Sequence, residues 1–313
     1  MRGARITGWG IALPDKVVTN ADLEATLDTT DEWITERTGI KERRIGGTTA
    51  GLAVEAGRVA MERAGVSATD IDLLVLCTTT PDQAVPATSA QVQHELGLRC
   101  GAFDLNAACS GFVYGLVASH GMIDAGVNRV LLVGSETMSR ITDWDDRTTA
   151  VLFADGAGAA VIEATAGPGQ LLAWHLGCDG SARPILYADQ GGYIQMEGRE
   201  VFRRAVRVMV DSAARSFEQA GVDPSEVTLV VPHQANLRII QAACKMLGIP
   251  MERTAVVLDR VGNNSSASIP IALVDAVDAG RVEPGDLVLL VGFGAGMTWA
   301  SALLRWMPDA EVA

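Results

Sequence analysis

Apolar and polar positions along this chain fall into short apolar runs and longer stretches with helical spacing, and the two alternate. Arg5 to Trp9 predicts a first strand, followed by a turn at Leu13-Pro14-Asp15. Thr19-Asn20-Ala21-Asp22 has the form of a helix N-cap and leads into a short helix expected through Leu27. Asp31 to Arg37 predicts a second short helix, ended by Gly39, and a longer one is expected from about Thr49 to Ala64, closed by Gly65. Ile71 to Thr78 is a mostly apolar strand of the kind buried on both faces. A further short apolar run, Ala102 to Leu105, predicts another buried strand. Beyond the small residues that follow it, Phe112, Val113, Leu116, Val117, Met122 and Ile123 recur at helical spacing. Cys109 therefore falls where a strand hands over to the first turn of a helix. Later in the chain Val227 to Val231 is a buried strand broken by Pro232-His233-Gln234-Ala235-Asn236, and Leu237 to Leu247 is a helix. Gly262-Asn263-Asn264 predicts a tight turn ahead of a helix from about Ser268 to Ala279, and Leu287 to Val291 is a strongly apolar strand.

The helix–Gly–strand unit occurs twice. AGVSATDIDLLVLC, from Ala64, matches AGVDPSEVTLVVPH, from Ala220, at an offset of 156 residues. A second pair sets Leu131-Leu132-Val133-Gly134 opposite Leu289-Leu290-Val291-Gly292, at an offset of 158. The chain thus divides into two similar halves, 1–167 and 168–313, split near Gly167-Pro168-Gly169. Each half alternates strands and helices, so each is expected to hold a mostly parallel or mixed sheet covered by helices: an α/β fold.

Composition narrows the class without changing that picture. With 313 residues, 48% of them apolar and 20% charged, the chain suits a compact protein with a substantial core. No apolar run reaches the roughly 18 residues of a spanning helix, and the N-terminus turns polar and glycine-rich too soon for a signal-peptide core. Five cysteines without metal-ligand or disulfide-framework spacing predict no metal site and a reducing, cytoplasmic location. A formal net charge of −13 argues against a nucleic-acid surface. Two basic clusters, Arg37/Lys41/Arg43/Arg44 and Arg203/Arg204/Arg207, are solvated faces or local docking patches.

Candidate chemistry sits at the strand-to-helix edges. At a helix start, free N–H groups and the dipole favour thiolate over thiol, so Cys109 is either a reactive cysteine or a buried core one. His233 lies just past the carboxyl end of a strand, where open α/β sheets bind ligands. His94, His120 and His175 have no such setting and are expected to be structural. Asn263 and Asn264 are either turn residues or part of the same edge. A Cys, a His and an Asn brought together suit acyl transfer, with one nucleophile and two hydrogen-bond donors for an oxyanion. VGFGAGM, Val291 to Met297, and FADGAGAA, from Phe153, are poor dinucleotide loops. The first suits a tight loop that offers N–H groups to an oxyanion.

LNAACSGF, VPHQANLRII and the GNNSSAS loop resemble the Cys, His and Asn motifs of the β-ketoacyl-acyl-carrier-protein synthase III family, the condensing enzymes that start type II fatty acid synthesis. DTTDEWITERTGIKERRI (Asp28 to Ile45), FADGAGAAV and GFGAGMTWASALLRW resemble further stretches, so the likeness spans the chain in order. The resemblance implies a thiolase-like fold, five-layered α-β-α-β-α, with two duplicated halves. It implies that an acyl-CoA primer acylates Cys109, and that malonyl-acyl-carrier protein then decarboxylates and condenses with the acyl group. His233 and Asn263 would hydrogen-bond the malonyl thioester oxygen, and the backbone N–H groups of Cys109 and Gly296 would hold the second oxyanion. Where the family motif often has Gly, this chain has Ala295.

Coenzyme A enters as substrate, and no cofactor is implied. Trp33 and Arg147 resemble the pair that sandwiches its adenine, with Thr29 and Arg37 at the nucleotide end and Gly198, Phe202 and Asn236 along the pantetheine tunnel. Arg238 and Lys245 match basic positions that meet the acidic carrier protein, joined by Arg203. The family is homodimeric, and its acyl-pocket floor crosses the dimer. Val85 stands where some members have Phe, which predicts tolerance of primers longer or more branched than acetyl. Three other readings stay open: a thiolase-fold acyltransferase or condensing enzyme of a specialised pathway, a Cys-His-Asn cysteine hydrolase, and a non-catalytic CoA or carrier binder.

Overall fold

A computed structural model describes residues 2–307, and two β-sheets organise them. Strand β1 (Gly3–Ala12) alternates half-buried and buried residues along its length, the period-two pattern of a strand with one covered face. It pairs antiparallel with β7 (Asp155–Thr165), with Ile6 opposite Ile162. β7 runs antiparallel to β6 (Arg129–Thr137), and β4 (Leu73–Cys77) and β5 (Gly101–Leu105) complete the sheet in parallel, giving the order β1-β7-β6-β4-β5.

The second sheet has the order β11-β12-β13-β8, built from β8 (Leu171–Cys178), β11 (Leu229–Pro232), β12 (Leu287–Gly294) and β13 (Thr298–Arg305). Read from β8, it repeats the first sheet: an antiparallel pair, a second antiparallel pair, then a parallel one. β4 and β11 are the two strands of the first sequence repeat, and β6 and β12 those of the second.

Helices cover both sheets. α3 (Thr49–Ala64) runs from a Thr48 cap to a left-handed Gly65, as expected, and buries Leu52, Ala56 and Ala60 against β1 and β7. α4 (Thr88–Glu95) lies on the same side; its open N-terminus is satisfied by Asp104 of β5, which accepts from Thr88 and Ser89 N–H at 2.9 and 2.8 Å. On the far face of the second sheet lie α6 (Gly198–Ala220) and α7 (Leu237–Leu247).

Between the sheets pack two central helices, α5 (Gly111–Asp124) and α9 (Ser268–Asp278). Phe112, Val113 and Leu116 of the first meet Ile269, Ala272 and Leu273 of the second in one core cluster that reaches both sheets. The layers are therefore α-β-α-β-α. Two short ribbons, β2 (Val17–Thr19) with β3 (Glu42–Arg44) and β9 (Leu186–Tyr187) with β10 (Gln195–Met196), and the helices α1 (Asn20–Glu24), α2 (Asp31–Thr38) and α8 (Leu258–Val261) form a cap at one end. α1 has its expected Thr19–Asp22 capping box but stops at Glu24, short of Leu27. No helix among the described residues is long and apolar enough to cross a membrane.

Candidate active site

Cys109 stands between β5 and α5, in a three-residue 3-10 turn, Ala108–Ser110. Asn106 Oδ1 accepts the Ala108 N–H at 3.1 Å, and Ala108 takes a left-handed φ of 49°. The end of β12 presses against this turn: a Cβ on Gly294 would lie 2.5 Å from the Cys109 nitrogen, so only glycine fits. Ser110 and Thr298 brace it, with Ser110 Oγ 2.8 Å from Thr298 Oγ1 and the Thr298 hydroxyl 2.8 Å from the Ala107 carbonyl.

The thiol opens only into a cavity, and burial pushes its pKa from 9.0 up to about 12, with the Glu136 charge adding to the rise and the Ser265 hydroxyl opposing it. That direction is opposite to the thiolate expected from a helix start. The rise corresponds to roughly 4 kcal/mol against the thiolate, whereas a helix end supplies about 2 kcal/mol at best. The resting group is a thiol.

His233 follows β11 directly; its N–H continues the strand ladder to the Val291 carbonyl at 2.8 Å. It is 2% exposed and packs edge-on against Phe293. Burial lowers its pKa to about 3, so the imidazole is neutral. Nδ1 lies 2.6 Å from Ser268 Oγ, and that oxygen also accepts the Gln234 N–H at 3.3 Å. The Ser268 hydroxyl has no other acceptor among the described residues, so it donates to Nδ1, which leaves the proton on Nε2. Gln234 fixes the loop behind: its amide donates to the Pro232 and Ala255 carbonyls and accepts from Val257 N–H.

Asn263 bridges to the segment after β6, with its N–H on the Leu152 carbonyl at 2.9 Å and its carbonyl accepting from Ala154 N–H at 3.0 Å. Gly262 before it has φ 69°, and a Cβ there would meet Ala154 Cβ at 2.8 Å and Arg43 Cβ at 3.0 Å. The Ser265 N–H holds Asn263 Oδ1 at 3.0 Å, so the amide's free end is its N–H2 donor. Asn264 is structural: its amide donates to the Asp155 and Val261 carbonyls.

Cys109, His233 and Asn263 line one cavity of about 970 Å³. Gly198, Phe202, Asn236, Arg238, Trp33 and Arg37 continue its wall, and Ala295 and Gly296 border the cysteine end. Neither Ala295 nor Gly296 N–H has a protein acceptor among the described residues, so both are free to donate. Arg37 and Arg147 both stack on Trp33, at 4.9 and 5.2 Å from the ring centre, and Arg147 also donates to the Asp28 carbonyl at 2.5 Å.

Other expected residues lie off the lining. Thr29 is close by with a buried, unpartnered hydroxyl, and Lys245 is on the exposed face of α7. Arg203 pairs with Glu200 at 2.8 Å, and Val85 is 85% exposed, outside its own chain's cavity. Ser265, Ser268, Gln234 and Thr298 were not singled out by sequence. Their only signal is an unusual density of serine in GNNSSAS and of polar residues around buried strand ends.

A cysteine presented by one half and two neutral donors presented by its duplicate, on a buried floor between two sheets, form the pattern of an acyl-transferring enzyme of the thiolase fold. Comparison with known proteins makes this specific. The model described as 3-oxoacyl-[acyl-carrier-protein (ACP)] synthase III matches residues 103–180, and its C-terminal counterpart matches residues 217–306. β-Ketoacyl-[acyl-carrier-protein] synthase III of Roseiflexus sp. is 49% identical over 97% of this chain and 98% of that protein. The crystal structure of 3-oxoacyl-[acyl-carrier-protein] synthase III from Aquifex aeolicus superposes with a TM-score of 0.95 at 46% identity, covering 97% and 100% of the two chains. A priming β-ketosynthase from the R1128 polyketide pathway gives 0.93 at 37% identity, covering 98% of each. The chain belongs to the β-ketoacyl-[acyl-carrier-protein] synthase III family.

Proposed function

We propose that the protein condenses an acyl-CoA primer with malonyl-acyl-carrier protein, releasing CoA and CO2 and forming a β-ketoacyl-acyl-carrier protein, the first step of fatty acid synthesis. The observation that carries this is the meeting of Cys109, His233 and Asn263 on one cavity whose wall runs to Trp33. In the first half-reaction Cys109 Sγ bonds the acyl carbon, the carbon–sulfur bond to CoA breaks, and the thiol proton leaves on the CoA sulfur. In the second, the carboxylate of the malonyl group leaves as CO2 and charge gathers on the thioester oxygen. His233 Nε2–H and the Asn263 amide are donors for that oxygen, so their hydrogen bonds strengthen as the barrier is crossed. The resulting carbanion attacks the acyl-cysteine carbon, whose oxyanion is met by Cys109 and Gly296 N–H, with Ala295 N–H an equally free alternative. The acyl–Sγ bond then breaks, and the Cys109 sulfur leaves and takes up a proton from solvent. No metal or prosthetic group enters these steps.

CoA would enter past Trp33, displacing Arg147 from the ring to admit adenine, with Thr29 and Arg37 beside it and Gly198, Phe202 and Asn236 along the pantetheine. Arg238 and Lys245, with Arg203 beside them, would receive the carrier protein. The exposure of apolar Val85 supports a homodimer in which a second copy covers it and its pocket floor accepts larger primers. Such a dimer would scatter light at twice the chain mass. Strict kinetic preference for acetyl-CoA over isobutyryl- and hexanoyl-CoA would remove the pocket reading.

Intact mass after mixing with acetyl-CoA tests the core of the proposal. An acyl adduct on the wild type and none on Cys109→Ala is expected. Adding malonyl-carrier protein should then give a β-ketoacyl product that His233→Ala and Asn263→Ala fail to make. No adduct with any acyl-CoA would overturn the reading.

A further inference from the structure

Two residues other than glycine adopt left-handed backbone among those described: Ala108, with φ 49°, and Ser265, with φ 48°. They stand 157 residues apart, in register with the internal repeat. Each opens the three-residue 3-10 turn that leads into a central helix, Ala108–Ser110 into α5 and Ser265–Ala267 into α9. Such backbone is strained for any residue with a Cβ, and glycine or asparagine would hold it more cheaply. In the first half this strained turn presents Cys109 to the cavity. In the second it presents Ser265, on the same floor.

Ser265 is 1% exposed, yet its hydroxyl makes no hydrogen bond of ordinary geometry. Neighbouring hydroxyls are satisfied: Ser266 donates to the Cys77 carbonyl at 2.8 Å, and Ser268 bonds His233 at 2.6 Å. A buried hydroxyl without a partner calls for a role. Its backbone N–H already serves the site by holding Asn263, at 3.0 Å. The turn that carries it packs against the turn that carries Cys109, which sets the two side chains on one stretch of cavity wall.

We propose that Ser265 is a further catalytic residue, whose hydroxyl donates a hydrogen bond to Cys109 Sγ while the sulfur carries charge during acylation. This rests on Cys109 being the nucleophile of the preceding section. As Sγ bonds the acyl carbon and the thioester carbon–sulfur bond breaks, the thiol proton ends on the departing sulfur. Ser265 keeps its own proton throughout. Its contribution is to offset part of the cost of a thiolate in a dry pocket.

Alkylation of Cys109 by iodoacetamide, followed by peptide mass with exposed Cys178 as internal reference, reads this directly. The comparison is between wild type, Ser265→Ala and Ser265→Gly over about pH 6.5 to 9, where rate tracks thiolate fraction. Both variants should react roughly tenfold or more slowly at each pH, their profiles displaced upward by about one to two pH units, with Cys178 unchanged. Glycine relieves the strain and keeps the backbone N–H to Asn263, so a glycine variant that matches wild type would show a conformational role and overturn the proposal. Superimposed profiles for all three would overturn it too. Should Cys109 resist the reagent in the wild type, single-turnover acylation by acetyl-CoA replaces it, with the same slowing expected at an unchanged half-saturation. Alkylation needs no substrate, so failure of the wild type to accept any acyl-CoA would strike the functional reading and leave this comparison standing.

Discussion

The neutral His233 is useful as a donor only if its proton is on the nitrogen that faces substrate, and Ser268 decides that. Its hydroxyl donates to Nδ1 because it has no other acceptor among the described residues. Ser268→Ala frees both tautomers. Decarboxylative condensation should then fall by roughly ten- to a hundredfold, toward the loss seen when an oxyanion donor is removed. Acylation of Cys109 by acetyl-CoA, which does not use Nε2, should stay near wild type, and Ser268→Thr should restore much of the loss. Equal losses in both half-reactions would mean a merely structural serine. Ser268 was not legible in sequence, whereas Cys109, His233 and Asn263 were, and the contrast has a physical basis. Each of the three terminates a recognisable strand or turn, so local pattern gives its place. Ser268 acts through a partner 35 residues away within its own half, a pairing made only when that half folds, and Ser265 through one in the other half, which meets it only once the halves are packed.

Among elements, the helices that were expected end to end are those whose stops are written locally. α3 runs from a Thr48 cap to Gly65 and α7 from an Asn236 cap to Gly248, both glycines left-handed. The elements missed are those shaped by neighbours. β7 reads DGAGAAVIEAT and carries small residues because α9 lies on it: a Cβ at Gly158 would meet Pro270 Cβ at 2.7 Å. β12 was expected to end at Val291 but continues to Gly294, through residues that look like a loop. Its last glycine, Gly294, is demanded by the Cys109 turn. Gly294→Ala places a methyl 2.5 Å from the Cys109 nitrogen and 2.8 Å from Ala108 Cβ, so a turn already strained must shift. We expect a folded protein destabilised by about 1–3 kcal/mol, with acylation at least tenfold slower and CoA half-saturation little changed, because the mouth at Trp33 is remote from the turn. Thermal melts with single-turnover acylation would check this; a wild-type acylation rate would show that the close approach is not functional.

At the scale of the whole molecule, duplication was legible as two register-matched repeats, and the sheets repeat the same pairing order. What sequence did not convey is how dry the packed interior makes its ionisable groups. His233 and His120, on a central helix, are both depressed by burial, to about 3 and about 4 from 6.5. Above 6.5 neither the folded nor the unfolded chain protonates them, so no stability is at stake there. As pH falls below 6.5 the unfolded chain takes up protons that the folded state refuses, and stability is lost down to the folded pKa values. Each histidine contributes a slope of about 1.4 kcal/mol per pH unit, so the pair should cost roughly 2.7 kcal/mol per unit between about pH 6 and 4. Asp155, raised by burial, works in the opposite sense, from its ordinary carboxylate value upward. Denaturant titrations at several pH values should therefore show a steep acid loss that His120→Gln reduces by one histidine's share, while His233 and His175, also lowered by burial, keep theirs. A flat profile across that window, or one that His120→Gln leaves unaltered, would mean that the central layer admits water and protons more freely than its packing implies. The same desolvation that raises Cys109 and neutralises His233 would then lose its basis, since all three effects come from one dry layer between the sheets.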